Sequence, residues 1–440
     1  MQAHHAQRPT RIRHIVLWLT VAAYMITYMD RVVISSAAPA MREEFGFSLV
    51  HMSWIIAAFR WGYALFQIPG GWLGDRIGPR RALTMIVTWW SLFTSATALT
   101  WSLASMAVCR FLFGVGEAGA FPIATRSLSR WMLPDERGYA QGLTHAGSRL
   151  GAAFTPPLVV LLMVTYGWRS AFFAFGLLGL LWAATWFFYY RDTPEEHRSV
   201  NPAELELIHR ALGGVRPRTG KSVPWGRIFA SRTLWILSAM YFCYAYCISI
   251  YLDWFPTYLK ENRGFNLKEM GFYASLPLLA GTLGDLAGGS WSDQRARRSG
   301  DLRRARRNVA MAGFLLAAAT ILPASLTASP MVSVWLTCLA VFGLELTVGV
   351  SWAIPLDIGG DYAGSVSAVM NMCGNMGGAI SATMLGYMVD GLGWAAPFLT
   401  AAGLCVAAAG FFSQIDASKK IFPGGSAPAA AGGSSHENQR

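Results

Sequence analysis

Asp30, Arg31, Arg110 and Glu117 stand inside runs that are otherwise apolar, YMITYMDRVVISSAAP and CRFLFGVGEAGAFP. A charge at the bilayer centre costs about 2.5–3.5 kcal/mol on insertion scales, so ionisable residues in such runs are functional candidates. Arg110 and Glu117 are seven residues apart. On one helix that spacing sets them two turns, about 10 Å, apart along a single face. Such a face cannot meet lipid. It lines a cavity or pairs internally. An arginine in a cavity offers a permanently charged, bidentate fork to a carboxylate. A buried carboxyl is pushed toward neutrality by desolvation and back toward charge by a nearby arginine, so it can bind and release a proton as its surroundings change. Together these types point to anion binding coupled to proton movement. The plain alternative is a set of ion pairs that hold helices together.

Arg149, in HAGSRLGAAF, is a further buried cation. It is either a second anchor, suited to a substrate with two acidic ends, or a gating or packing salt bridge. His145, one turn earlier, is a candidate proton relay. Asn371 and Asn375 share a helix face at i, i+4. Ser351 and Trp352 lie in the tenth apolar run, and Tyr63 shares a face with Gln67. Such hydroxyls and amides suit a polyhydroxylated acid, or serve helix–helix hydrogen bonding. Glu345 and Asp357 flank the tenth run with no assigned role. No metal site or cofactor is expected. The six Cys all fall in apolar runs without a CxxC pair, and of the eight His only His145 is interior. No GxxxxGK[ST] loop is present, which argues against ATP-driven chemistry, and no cluster suggests an integral-membrane enzyme.

The elements that hold these residues follow from composition. The 440 residues are 54% hydrophobic and 14% charged, where an average soluble protein is about a quarter charged. Mean hydropathy is +0.36. A soluble fold could not bury so much apolar surface, and disordered chains have the opposite bias. The net charge of +12 sits mostly in short loops, so it reads as membrane topology rather than nucleic-acid binding. Twelve runs approach the length of about 20 residues that a span needs: 15–38, 50–72, 82–101, 103–127, 139–164, 170–190, 234–259, 270–291, 309–325, 331–356, 365–389 and 395–412. The first run is too long for the core of a cleavable signal. The polar segment 191–231, with a helix-like NPAELELIHRALGG, separates two groups of six. The expected division is a tail 1–14, a six-helix bundle 15–190, a central loop 191–231, a second bundle 232–415 and a disordered tail 416–440. Arginine-rich loops alternate with poorer ones, which puts both termini on the cytoplasmic side.

The halves resemble each other. GGWLGD at 70–75 recurs as GGSWSD at 288–293, and Gly147, Gly151, Gly167 and Phe172 recur as Gly374, Gly378, Gly393 and Phe398. The expected fold is therefore all-α and membrane-integral, with twelve transmembrane helices in two pseudo-symmetric six-helix bundles. After the second run comes GWLGDRIGPRR, 71–81. It resembles the signature loop of the major facilitator superfamily, with Pro79 in place of a basic residue. Its Gly71 and Gly78 allow close approach of helix ends. Asp75, Arg76, Arg80 and Arg81, with Asp293 in the second copy, form a candidate cytoplasmic gate.

YMDRVVISSAAPAM, CRFLFGVGEAGAFP and GWRSAFF are similar to the anion:cation symporter family within that superfamily. This family includes bacterial sugar-acid carriers and vesicular glutamate and sialate carriers. The resemblance implies proton-coupled uptake of a carboxylate across a bacterial inner membrane by a monomer. It implies Asp30 and Glu117 as proton carriers, Arg31 and Arg110 as cationic partners, and Tyr63 as a cavity residue. A drug or metabolite exporter of the same fold is the alternative, and the intramembrane arginines disfavour one that moves cations.

Overall fold

The computed structural model describes residues 8–133, 136–212, 224–359, 362–417 and 419–422. Among these, the long elements are all helical: α1 (Ile12–Phe45), α2 (Leu49–Thr97), α3 (Leu103–Glu117), α4 (Ala120–Trp131), α5 (Arg137–Tyr166), α6 (Trp168–Tyr189), α7 (Pro202–Leu212), α8 (Trp225–Phe229), α9 (Arg232–Glu261), α10 (Leu267–Ser299), α11 (Leu302–Leu326), α12 (Pro330–Leu346), α13 (Val348–Gly359), α14 (Ala363–Leu392) and α15 (Ala395–Ser413). Among the described residues nine segments are long and apolar enough to cross a membrane. The second arm of α2, α10 and α14 complete twelve helical passages.

Two boundaries differ from the sequence reading. The loop expected between the second and third runs is instead a single bend in α2 at Gly78 (φ 81°, ψ 155°), a conformation that favours glycine. The fourth and tenth runs each contain a short interruption, after Glu117 and after Leu346. The first lies in the glycine-rich GVGEAG, where a Cβ on Gly119 would come within 2.7 Å of the Gly70 backbone of α2.

Packing within each half depends on such close crossings. A Cβ on Gly62 would meet the Phe111 carbonyl oxygen at 2.3 Å, and one on Gly114 the Phe59 oxygen at 2.2 Å, so α2 and α3 touch backbone to backbone. The equivalent crossing of α10 and α12 uses Gly284 and Gly288 against Phe342 and Leu346. Small residues at helix crossings are the usual means of association where lipid removes the hydrophobic drive between helices.

The halves meet along α1 with α9, α2 with α14, and α5 with α10. One continuous apolar cluster joins them through Val33, Ala37, Ile55 and Val160 on one side and Tyr251, Trp254 and Met270 on the other. A separate cluster around Val16, Trp90, Trp131 and Trp186 fills the first half toward the basic loops.

The N-terminal segment is tied to the connection between the halves. Arg13 pairs with Glu204 at 3.2 Å and Glu136 at 3.1 Å, and Asn201 caps α7 by accepting from the Glu204 amide. In the same segment His197 is held below its ordinary pKa, first by burial and then by Arg191. At the other end Ile421 N–H donates to the Ile358 carbonyl and Phe422 packs on Tyr362. Within the central loop 213–223, and in the tail 423–440, the expected organisation lies outside the described residues.

Candidate functional site

At mid-height of the first half, α1, α2 and the α3–α4 passage converge on Arg31. Its Nε donates to Glu117 Oε1. Its guanidinium carbon lies 4.7 Å from the Tyr63 ring centroid, 5.0 Å from Tyr28, 5.3 Å from Phe121 and 5.6 Å from Phe59. Each aromatic face in such a dry setting contributes on the order of 1–2 kcal/mol of cation–π attraction. Glu117 is fully buried, yet its Oε2 has no hydrogen-bond partner among the described residues.

Asp30 is also fully buried, with neither carboxyl oxygen hydrogen-bonded among the described residues. Trp90 and Thr94 stand beside it, with the charges of Glu117 and Arg110 close enough to act on it. Arg110 is 1% exposed and rests on the Phe113 and Phe59 rings at 4.4 and 5.3 Å. Its Nε and Nη1 lack partners among the described residues. A buried charge is costly unless it is paired or neutralised. The two carboxyls can neutralise by binding protons; the two arginines cannot.

A second group bridges the halves. Arg149 Nη2 lies 2.7 Å from Glu345 Oε2, and the Tyr244 hydroxyl donates to Glu345 Oε1 at 3.0 Å. Tyr244 stacks on Tyr241, whose hydroxyl accepts from Trp352 Nε1 at 2.9 Å. Arg149, Glu345, Leu252, Leu278 and Gly281 line a small cavity between the halves. The guanidinium of Arg149 is 5.9 Å from the same Tyr28 ring that Arg31 approaches.

Toward the end opposite the basic loops, Arg60 Nε and Nη2 donate to Asp253 Oδ2 at 2.9 and 2.6 Å, again across the halves. Beyond them Arg42 pairs with Glu261, Lys260 lies 3.9 Å from Glu43, and Trp54 Nε1 donates to the Tyr387 hydroxyl at 3.0 Å. Among the described residues the hydrogen bonds and ion pairs between the two helical halves run from this end down to Arg149–Glu345.

Asp30, Arg31, Tyr63, Arg110 and Glu117 are thus brought together, and Trp352 joins Arg149 through Tyr241. Asn375 Nδ2 reaches Gln67 Oε1 at 3.4 Å across the halves, while Asn371 is half-buried on the same helix. Ser351 is buried, and its hydroxyl donates to the Thr347 carbonyl one turn back at 2.7 Å. His145 packs edge-on against Tyr24.

The basic-loop residues lie far from this centre. The bend at Gly78 packs on Asp192, which accepts from the Arg80 amide at 3.0 Å. Arg80 also covers Phe187, Arg76 covers Trp72, and Arg81 is exposed. Asp293 pairs with Arg306 at 2.7 Å, and Arg306 with Asp357 at 3.3 Å, all within the second half. The side-chain surroundings at Gly71 and Asp75 lie outside the described residues.

Sequence reasoning missed Arg60, Asp253, Tyr28 and the partner role of Glu345. The signal was present for the first two, since AFRWGYALF and IYLDWFPTY are also apolar runs holding one charge.

Residues 20–382 match the Major Facilitator Superfamily profile. The chain belongs to that superfamily. It is a multi-pass membrane transporter, not an enzyme. A Cupriavidus necator protein named "Probable sulfoacetate transporter" is 40% identical over 395 residues, covering 90% of this chain and 91% of the relative. The hexuronate transporter of Bacillus subtilis is 31% identical over 400 residues, with 89% and 92% covered. The D-galactonate transporter of Escherichia coli is 30% identical over 403 residues, also with 89% and 92% covered. These relatives match the group that the first-half motifs resemble. Among solved structures, the inward-facing, unoccupied form of a bacterial homologue of the human lysosomal transporter Spinster superposes with a TM-score of 0.76, covering 92% of this chain and 97% of that one. At 18% identity that likeness speaks for the fold alone.

Proposed function

We propose that this transporter takes up a small organic anion with protons across the bacterial inner membrane, by alternating access of two six-helix bundles, 15–190 and 232–415. The observation that carries the reading is the largely buried group Asp30, Arg31, Arg110 and Glu117. It holds two permanent cations and two carboxyls that lack full hydrogen bonding among the described residues. The relatives, carriers of sulfoacetate, hexuronate and galactonate by name, support a carboxylate or related anion as substrate.

With the basic loops on the cytoplasmic side, both termini are cytoplasmic. The end closed by Arg42–Glu261 and Arg60–Asp253 then faces outward, which makes this an inward-facing state. In the outward-open state the GWLGDRIGPRR loop, through Asp75, latches the cytoplasmic ends together. Protons entering from outside neutralise Asp30 and Glu117 and free Arg31 for the anion. The loaded carrier then rocks inward. On the alkaline side Asp30 and Glu117 lose their protons, and Glu117 recovers Arg31 and displaces the anion. The carrier acts as a monomer.

The test is uptake of galactonate, hexuronates and sulfoacetate into proteoliposomes under an inward proton gradient. Gradient-dependent accumulation of at least one of these anions is expected. Movement of cations or neutral compounds alone would reject the reading.

A further inference from the structure

Arg31 and Arg149 share one ring. Their guanidinium carbons stand 5.0 and 5.9 Å from the centroid of Tyr28. The two cations are therefore no more than about 11 Å apart. Both side chains keep some exposure, at 21% and 15%, whereas Arg110 is sealed at 1%, and Arg149 lines the cavity between the halves. Arg60 differs again, because two of its N–H groups are committed to Asp253. Arg149 meets Glu345 through Nη2, which leaves other donors of its fork for a ligand.

The two arginines are also held alike. Glu117 is the last residue of α3, just before the interruption of the fourth passage, and it holds Arg31. Glu345 is the last residue but one of α12, just before the interruption of the tenth passage, and it holds Arg149. The fourth and tenth passages occupy the same place in the two repeats. Glu345 follows Glu117 by 228 positions, against 227 for the repeated glycines Gly147 and Gly374. Each half thus supplies a buried glutamate at the same break, and each glutamate occupies an arginine beside Tyr28.

Building on the anion-carrier reading, we infer that Arg31 and Arg149 are the two ends of one binding site, and that its substrate is a short dianion. One acid group replaces Glu117 on Arg31 and the other replaces Glu345 on Arg149. Tyr244 keeps its hydrogen bond to Glu345 when Arg149 turns to the substrate. A carboxylate or sulfonate in a charge-assisted contact sits with its central atom about 4 Å from the guanidinium carbon. Two such contacts within the 11 Å limit leave at most about 3 Å between the acid centres in a straight line. That is the reach of one or two bridging carbons. Longer diacids must buckle, and monoacids leave Arg149 with Glu345.

The test is direct binding to the purified full chain, read by intrinsic tryptophan fluorescence, so that it does not depend on coupling. The probes are acetate, glycolate and galactonate as monoanions, malonate, sulfoacetate and succinate as short dianions, and adipate as a long one. Short dianions are expected to bind about 10- to 100-fold tighter than acetate and tighter than adipate, as one added charge-assisted contact allows. Arg149→Gln is expected to remove that advantage while leaving the acetate and glycolate affinities in place. Arg149→Lys, which keeps the charge without the fork, should fall between and serves if the glutamine variant does not fold. Glu345→Gln should tighten dianion binding by removing the internal competitor. Equal affinities for monoanions and dianions, or an Arg149→Gln loss that is the same for both, would overturn the two-anchor site while leaving the anion carrier standing. Binding of no anion at all would overturn the functional reading with it.

Discussion

Asp253→Asn tests whether the Arg60–Asp253 contact helps close the outer end. The substitution keeps the shape and removes the charge. Arg60 donates twice to one Asp253 oxygen, at 2.9 and 2.6 Å, and the side chains are only 17% and 12% exposed. A hydrogen bond to a charged group contributes about 1.5–3 kcal/mol. A neutral acceptor keeps roughly half of that, so the variant loses ~1–2 kcal/mol. At about 1.4 kcal/mol per tenfold, the balance between the closed and open outer end moves by about 5- to 30-fold. Spin labels at Leu99→Cys, on an exposed turn, and at Leu326→Cys, the exposed last residue of α11, sit at that end of opposite halves and report the opening as a distance distribution. Asp253→Asn should enrich the longer distances. Arg60→Gln should do the same, and the double variant should add little to either single change. An unchanged distribution in a folded variant, or fully additive effects, would refute the gating role.

Glu117→Gln should abolish proton-driven accumulation while anion exchange at equal pH continues, measured by counterflow in proteoliposomes. Arg31→Lys should raise KM about tenfold or more, since lysine supplies neither the bidentate fork nor the same contact with the Tyr63 and Tyr28 rings. Gly114→Val should lower the thermal unfolding midpoint sharply or prevent folding, because its Cβ would stand 2.2 Å from the Phe59 carbonyl oxygen, where backbone cannot yield.

The helical passages were legible because a span must be long and apolar, and polar loops must separate the spans. The core of the site was legible for a related reason. Asp30, Arg31, Arg110 and Glu117 are charges where lipid forbids them. Arg60 and Asp253 obey the same rule and went unnoticed; even when seen, their pairing joins residues 193 positions apart, which no local spacing reveals. Glu345 looked idle for that reason, since its partner Arg149 lies on the other half. The bend at Gly78 was hidden because a glycine between two apolar runs is equally compatible with a loop or a turn between helices. The setting of Ser351 was not legible, because a serine inside a helix can satisfy its hydroxyl on the carbonyl one turn back, and it does.

Coupling itself is most directly measured as proton flux. Proteoliposomes at equal internal and external pH, with a pH dye in the weakly buffered outer solution, receive a pulse of a transported anion. Inward movement of the anion should draw protons with it and make the outer solution more alkaline, and Glu117→Gln should abolish that signal. Anion uptake with no accompanying proton movement in the native protein would contradict the proposed symport.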